Sequence, residues 1–229
     1  MERRFEKELE SLKTTLIRMG SVVEEQCKLA TKSVFEIDIQ SAEKVIASDD
    51  RVNSFEIEID NAVVDILALQ QPVASDLRLI LAAQKISNDL ERIGDHAVNI
   101  AESTVQLAKI KPKEPFMEIP KMAEIAQAML RDSLDSFVHV SSELAQAVLK
   151  RDDIIDEMNR SMTVEVVELL QKNKKYIEGG LELIRLSRNF ERVADLATNI
   201  AEEVIFLAQA RVVKHHAEEK KGPPENDAM

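Results

Sequence analysis

This chain contains few aromatic residues and few glycines. Aromatic residues make up 3% of its 229 residues, Gly occurs 5 times and Trp 0 times. Alanine, aliphatic residues, glutamate and lysine dominate, which is typical of packed helices and not of sheets joined by glycine-rich turns. The sequence therefore predicts an all-α protein.

Cysteine, long apolar runs and basic clusters are equally scarce. Because Cys27 is the only cysteine, an intrachain disulfide is excluded, and we expect its thiol to pack on a helix face in a reducing compartment. No segment reaches the about 20 apolar residues of a membrane helix, and the first residues lack the apolar run of a secretory signal. A net charge of -12 without a basic stripe argues against nucleic-acid binding. We expect a cytoplasmic protein without direct membrane insertion, whose partners are cations or basic protein faces.

Prolines divide the chain into two halves of similar length. Pro112, Pro115 and Pro120 predict a linker at residues 111–120, between a first bundle at 1–110 and a second at 121–214, with a disordered tail at 215–229. Turn signals, among them Gln71-Pro72 and Gly179-Gly180, then divide each half into three helices, at residues 5–37, 41–69, 75–109, 121–140, 143–172 and 181–213. The sequence predicts six long helices in two tandem antiparallel three-helix bundles.

A polar motif of the third helix recurs in the sixth helix. Residues 91–102 return 100 positions later as residues 191–202, and the letters that repeat are mostly Glu, Asp and Asn. A weaker echo joins residues 42–50 to residues 145–153, at a spacing of 103. These repeats indicate an internal duplication. Because a helix that only packs would keep its apolar residues, the repeated polar residues indicate a shared chemical role.

The repeated polar residues fall on one face of each helix. At 100° per residue they share an arc of about 80°, opposite the apolar residues that would form the core. The stripes are Glu91, Asp95, Asn99 and Glu102; Glu191, Asp195, Asn199 and Glu202; Asp49, Asn53, Glu56 and Asp60; and Asp152, Asp156 and Asn159. A solvated surface is one interpretation. If the stripes converge, their oxygen atoms suit metal ions such as iron(III), manganese, magnesium or calcium better than zinc, which prefers His or Cys.

One histidine interrupts the repeated motif. His96 has Leu196 as its counterpart and lies outside the acidic arc. We therefore expect a structural or partner-facing role for His96 and not metal ligation. Gly94 and its counterpart Ala194 are both small, which predicts close approach by another helix.

These motifs resemble the PhoU family of phosphate-transport regulatory proteins. The resemblance covers the chain except for its tail and rests on residues 52–60, 71–80, 89–97, 190–195 and 197–203. It implies two three-helix bundles whose E/D-x-x-x-D motifs bind metal ions or metal clusters. With the stripes, it gives these candidate ligands: Glu56, Asp60, Glu91, Asp95, Asn99, Glu102, Asp152, Asp156, Glu191, Asp195, Asn199 and Glu202. The sequence departs from the pattern at Ala194, and at Thr163, which stands where a second-half partner of Asp60 would be.

The resemblance also implies a function. It predicts a regulator that represses phosphate-starvation signalling when phosphate is ample, as an adaptor between the ATPase subunit of a phosphate ABC transporter and a sensor histidine kinase. The protein would be a homodimer, peripheral at the inner face of the membrane through its partners. No nucleophile–base pair or phosphate-binding glycine loop indicates an enzyme. Two alternatives remain, a carboxylate-bridged di-iron enzyme, which would need a Glu-x-x-His motif that is absent here, and a metal-free scaffolding bundle.

Overall fold

Helices account for nearly all of the described chain. The computed structural model describes residues 2–110, 118–172 and 174–211, and these residues contain no strand. The predicted linker lies largely outside the described residues, and so does the predicted tail. The helices are α1 (Glu2–Glu36), α2 (Ile39–Ala47), α3 (Asp49–Leu69) and α4 (Ala74–Ile110) in the first half, and α5 (Ile119–His139), α6 (Ser142–Leu149), α7 (Asp152–Lys172) and α8 (Ile177–Gln209) in the second, with a single 3-10 turn (Lys174–Tyr176) before α8.

The prediction of two three-helix bundles is confirmed, but the middle helix of each bundle is broken in two. We call the three long helical segments of each bundle, broken or not, its first, second and third rods. The predicted helix at residues 41–69 is divided into α2 and α3 at Ser48, and the one at residues 143–172 into α6 and α7 near Lys150. The Ser48 amide donates to the carbonyl oxygens of both Lys44 and Val45, and its hydroxyl donates to the Val45 carbonyl. These hydrogen bonds end α2 by satisfying its last carbonyls. Aspartates then begin the next helix, where the helix dipole favours negative charge.

The turns after the first rod of each half are built alike. Ile37 and Val140 adopt the left-handed conformation, with φ angles of 50° and 49°. Asp38 and Ser141 follow them as N-caps, and their side-chain oxygens accept from backbone amides of α2 and α6. Val140 follows Ile37 by 103 residues, and Ser141 follows Asp38 by the same number, which is the spacing of the weaker sequence repeat.

The prediction of a helix break at Gly179-Gly180 is wrong. Both glycines lie inside α8, which begins at Ile177. A Cβ atom built on Gly180 would approach Leu170 Cδ2 at 2.8 Å and Val166 Cγ1 at 3.0 Å. Glycine at this position therefore allows α7 and α8 to pack closely, and it does not end a helix.

Packing repeats between the halves as well. The Ser87 hydroxyl of α4 contacts the Met19 sulfur of α1, and the Ser187 hydroxyl of α8 contacts the Met122 sulfur of α5, both at 3.4 Å. Cys27 is buried on α1, in the position expected for it. Apolar residues of the rods form the core, where a fully buried Leu or Ile side chain contributes about 1.5–3 kcal/mol.

The halves meet where α4 packs against α8 and α1 packs against α5. Along the α4–α8 contact, Lys85 pairs with Glu203 at 2.8 Å and Arg185 with Glu102 at 2.5 Å. Since residue numbers rise on one helix as they fall on the other, α4 and α8 are antiparallel. None of the described helices is both long enough and apolar enough to cross a bilayer.

Candidate metal centres

Three aspartates of the second half converge between α7 and α8. Asp152 and Asp156 are one helical turn apart and share a face of α7, and Asp195 meets them from α8. One carboxylate oxygen from each residue lies within 4.8 Å of the others, and all three side chains are half-buried. Because metal–oxygen distances are about 2.0–2.6 Å, a single hard cation can bind three oxygens at this separation.

The electrostatics of this group favour a cation. Burial raises the pKa of the Asp195 carboxyl, and the charge of Asp156 raises it further, while Arg192 lowers it. Arg192 Nη1 donates to Asp195 Oδ2 at 2.7 Å and so offsets part of the repulsion. Glu191 lies on the same face, and burial and the charges of Asp195 and Asp156 raise its pKa. A bound metal ion would remove the cost of holding these carboxylates together.

A corresponding acidic group lies between α3 and α4 in the first half. Burial raises the pKa values of Glu56, Glu91 and Asp95. Their charges also raise one another's pKa values, since Asp95 acts on Glu56 and Glu91, and Glu56 acts on Glu91. Asp60 lies beside Glu56 and accepts a hydrogen bond from Gln84 Nε2 at 2.7 Å. Glu56, Glu91 and Asp95 are thus near enough to influence one another's charge, whereas among the described residues only the α7–α8 group brings three acidic ligand atoms within 4.8 Å of one another.

Asn99 and Glu102, the last two residues of the acidic stripe on α4, have a different environment. Arg185 Nη2 on α8 donates to Asn99 Oδ1 at 3.2 Å and to Glu102 Oε2 at 2.5 Å. These contacts cross the boundary between the halves. Asn99 and Glu102 therefore bind an arginine of α8, while Glu91 and Asp95 face α3.

A polar cavity of about 290 Å³ lies beside Asp195 in the second half, where the counterparts of Asn99 and Glu102 are found. Asn199 and Glu202 are in its wall, together with Arg92 and Arg192. Asn199 also hydrogen-bonds the Asp89 carboxylate of α4. Asn199 and Glu202 thus line the same cavity as Asp152 and Asp195.

Two acidic residues were not among the candidate ligands. Asp49 raises the pKa values of Glu91 and Asp95 and so belongs to the first-half group. The spacing of 103 aligns Asp49 with Asp152, so the sequence contained a signal for it. Asp89 had no such signal, because its counterpart 100 residues later is Asn189.

His96 lies in the contact between α4 and α8. Its Nδ1 is 2.9 Å from Asn189 Oδ1, and Asn189 Nδ2 donates to the Arg185 carbonyl. Because the amide nitrogen of Asn189 donates to Arg185, its Oδ1 faces His96 and accepts a hydrogen bond. Nδ1 of His96 is therefore the donor. Burial lowers the pKa of His96. The imidazole is therefore engaged in joining the two halves.

Two antiparallel three-helix bundles in tandem, each with an acidic group between its second and third rods, define a duplicated all-α protein. A profile of the PhoU domain matches it twice, at residues 16–104 and 119–204. The phosphate-specific transport system accessory protein PhoU homolog of Aquifex aeolicus is 37% identical over 216 residues, which span 94% of this chain and 98% of that protein. The homolog from Pseudomonas aeruginosa is 35% identical over 217 residues, 94% of this chain and 89% of that one. The chain belongs to the PhoU family.

Solved structures give the same result. The crystal structure of PhoU from Pseudomonas aeruginosa matches with a TM-score of 0.88 and 35% identity, covering 90% of this chain and all (100%) of that one. The crystal structure of the phosphate transport system regulatory protein PhoU from Streptococcus pneumoniae matches with a TM-score of 0.84 and 28% identity, over 92% of this chain and 100% of that one.

Proposed function

We propose that this protein regulates phosphate uptake and phosphate-starvation signalling in the cytoplasm. It would act as an adaptor between the ATPase subunit of a phosphate ABC transporter and a sensor histidine kinase, and repress the response when phosphate is ample. The observation that carries this proposal is the match over 94% of the chain to proteins named as accessories of phosphate-specific transport. A homodimer peripheral to the membrane would place the adaptor beside both partners.

Metal ions at the two acidic groups are the second part of the proposal. The donors of both groups are carboxylates, and burial together with like charge raises the pKa values of Glu56, Glu91, Glu191 and Asp195. Oxygen donors of this kind suit iron, manganese, magnesium or calcium. A bound ion would fix the angle between the second and third rods of each half, and thereby tune the surface offered to partners.

A di-iron enzyme is less well supported. Helical di-iron proteins use a histidine from a Glu-x-x-His motif on each of two helices. The three residues of the α7–α8 group are all aspartates. His96, beside the first group, instead contacts Asn189. A metal-free scaffold is the other alternative, and measurement of metal content separates it from the proposal.

Elemental analysis tests the metal centres directly. Protein purified without chelator should contain metal, and Asp195→Asn and Asp95→Asn should each reduce the content. Asp135→Asn removes the same charge from an exposed position on α5 and should leave the content unchanged. Metal retained in full by both site variants would contradict the assignment, and protein without metal after growth in supplemented medium would favour the scaffold.

Gene deletion tests the regulatory role. In phosphate-rich medium, loss of the gene should raise expression of phosphate-starvation genes, and the wild-type gene supplied in trans should restore repression. Expression that does not change on deletion would contradict the role. If metal tunes the adaptor, Asp195→Asn should restore repression less well than Asp135→Asn at equal protein levels.

A further inference from the structure

A large cavity lies between α1, α2 and α3, and none of the residues that line it belongs to either acidic group. Its volume is about 810 Å³, which falls in the range of about 300–1,000 Å³ for small-molecule sites. One part of its wall is apolar and includes Ile17, Val22 and Leu29. The cavity is therefore large enough for a metabolite with an apolar body.

The charge of the wall is opposite to that of the protein. Arg18, Lys44 and Arg51 line the cavity, against a single acidic residue, Glu25. In a chain of net charge -12, this concentrates positive charge at one place. Among the described residues, none of the three cations forms an ion pair within 4.0 Å. Within that part of the chain, none of the three charges is therefore neutralised by a protein carboxylate at ion-pair distance.

An aromatic ring adjoins these cations. Phe55 lines the cavity, and the guanidinium carbon of Arg51 lies 6.0 Å from its ring centroid. Gln26 and Ser48 add polar groups, joined by a hydrogen bond of 2.8 Å from Gln26 Nε2 to Ser48 Oγ. Cationic, polar and apolar groups thus meet in one cavity, as in sites that bind an amphipathic organic anion.

The second half of the chain keeps a cation at one of these three positions, because Arg18 aligns with Lys121, but it lacks the other two. At the spacing of 103, Lys44, Arg51 and Phe55 align with Ala147, Ile154 and Met158. Ser48 and Leu29, both in the cavity wall, align with Arg151 and Asp132, which form an ion pair with each other at 2.5 Å. The second copy therefore neutralises its arginine internally, whereas the first copy presents cations to the cavity. Residues that two duplicated bundles both need for packing would not differ in this way.

We propose that the cavity between α1, α2 and α3 binds a phosphate monoester with an aromatic or apolar body, of the nucleoside monophosphate class. Lys44 and Arg51, on either side of Ser48, contact the phosphate, and Phe55 with the aliphatic wall contacts the body. Charge-assisted hydrogen bonds to a dianion supply the affinity, and the apolar contacts select against bare phosphate. This site does not depend on the metal centres.

Calorimetric titration with AMP tests the proposal, with adenosine and inorganic phosphate as separate titrants. Chelator in the buffer removes any contribution from bound metal. AMP should bind, and adenosine and inorganic phosphate should each bind at least about tenfold more weakly. The variant Lys44→Ala/Arg51→Ile carries the residues of the second half, so it should fold and lose at least about tenfold in AMP affinity. Lys28→Ala, an exposed charge of α1 outside the cavity, should bind AMP as the wild type does.

Phe55→Met separates the two parts of the ligand. It should weaken AMP and leave the weak binding of inorganic phosphate unchanged. Absence of AMP binding at millimolar concentration would overturn the proposal, as would equal AMP affinity in the wild type and in Lys44→Ala/Arg51→Ile. Equal affinity for AMP and adenosine, or for AMP and inorganic phosphate, would overturn the assigned ligand class.

Discussion

Arg185 on α8 forms an ion pair with Glu102 on α4, with 2.5 Å between Nη2 and Oε2. The pair has a counterpart on the same contact, where Lys85 on α4 binds Glu203 on α8 at 2.8 Å. Lys85 and Arg185 are 100 residues apart, so the two halves contribute equivalent cations to their shared boundary. The acidic partners are not equivalent, since Glu203 aligns with Ser103, so the duplication extends to the cations of this contact and not to the complete ion pairs.

Glu102→Gln should have little effect on metal content. The Glu102 carboxylate binds Arg185 and lies apart from Glu91 and Asp95, which face α3. Because both partners are partly exposed, loss of the ion pair should lower the free energy of unfolding by less than about 1 kcal/mol. Elemental analysis and urea denaturation measure the two effects. A loss of metal as large as that in Asp95→Asn would place Glu102 in the centre after all.

Asp89→Asn should stabilise the protein at neutral pH. Burial raises the pKa of Asp89 from 3.8 to about 6, against the opposing effects of Asn199 and Arg92. The folded state thus binds a proton more tightly than the unfolded state, and stability from this group is lost as pH rises through about 6. Asparagine, which the second half has at this position as Asn189, avoids the buried charge. We expect a gain of about 1–2 kcal/mol at pH above 7, after allowing for the lost contact with Arg92.

Denaturation curves in chelator at several pH values check this prediction. The gain should shrink as the pH falls from about 6 through 3.8, because Asp89 is protonated in both states once the pH is well below 3.8. Asp135→Asn is the matched control and should show no such gain. A gain of the same size at acid and neutral pH would show that packing, and not charge, is responsible.

Substitution by alanine should raise the free energy of unfolding at Gly94 and lower it at Gly180. A Cβ atom at Gly94 would lie 3.5 Å from its nearest neighbours, Gln26 Oε1 and Val52 Cγ1, which is ordinary van der Waals contact. Gly94→Ala should therefore raise the free energy of unfolding by about 0.5–1 kcal/mol through helix propensity. Gly180→Ala should lower it by about 1 kcal/mol or more, because its Cβ would crowd Leu170 and Val166. Urea denaturation of both variants measures the two effects, and destabilisation by Gly94→Ala would show that Gln26 and Val52 pack too tightly on α4 to accept a methyl group.

Features encoded by local periodicity could be predicted from the sequence. Apolar periodicity gave the six rods, because an amphipathic helix must bury one face. Repetition of the polar residues identified Glu91, Asp95, Glu191 and Asp195, which are equivalent positions of the two halves. The grouping of Asp156 with Asp195 follows from the packing of adjacent rods in a bundle.

Features that depend on the packing of one helix on another could not be predicted. Gly179 and Gly180 have the composition of a turn, yet close packing against α7 places them inside α8. Nothing near Glu102 in the sequence indicates that Arg185, from the other half, would reach it. The break at Ser48 was missed because hydrogen bonds within one turn, and not a proline or glycine, end the helix.

Anomalous scattering from crystals soaked in manganese shows whether the aspartates between α7 and α8 hold a metal ion. We predict a peak within about 2.5 Å of carboxylate oxygens of Asp152, Asp156 and Asp195. The peak should be absent in Asp195→Asn crystals soaked in the same way. Manganese bound elsewhere on the surface, with no peak among these three aspartates at full soaking concentration, would contradict the claim that the duplicated bundles are built around carboxylate-bound metal.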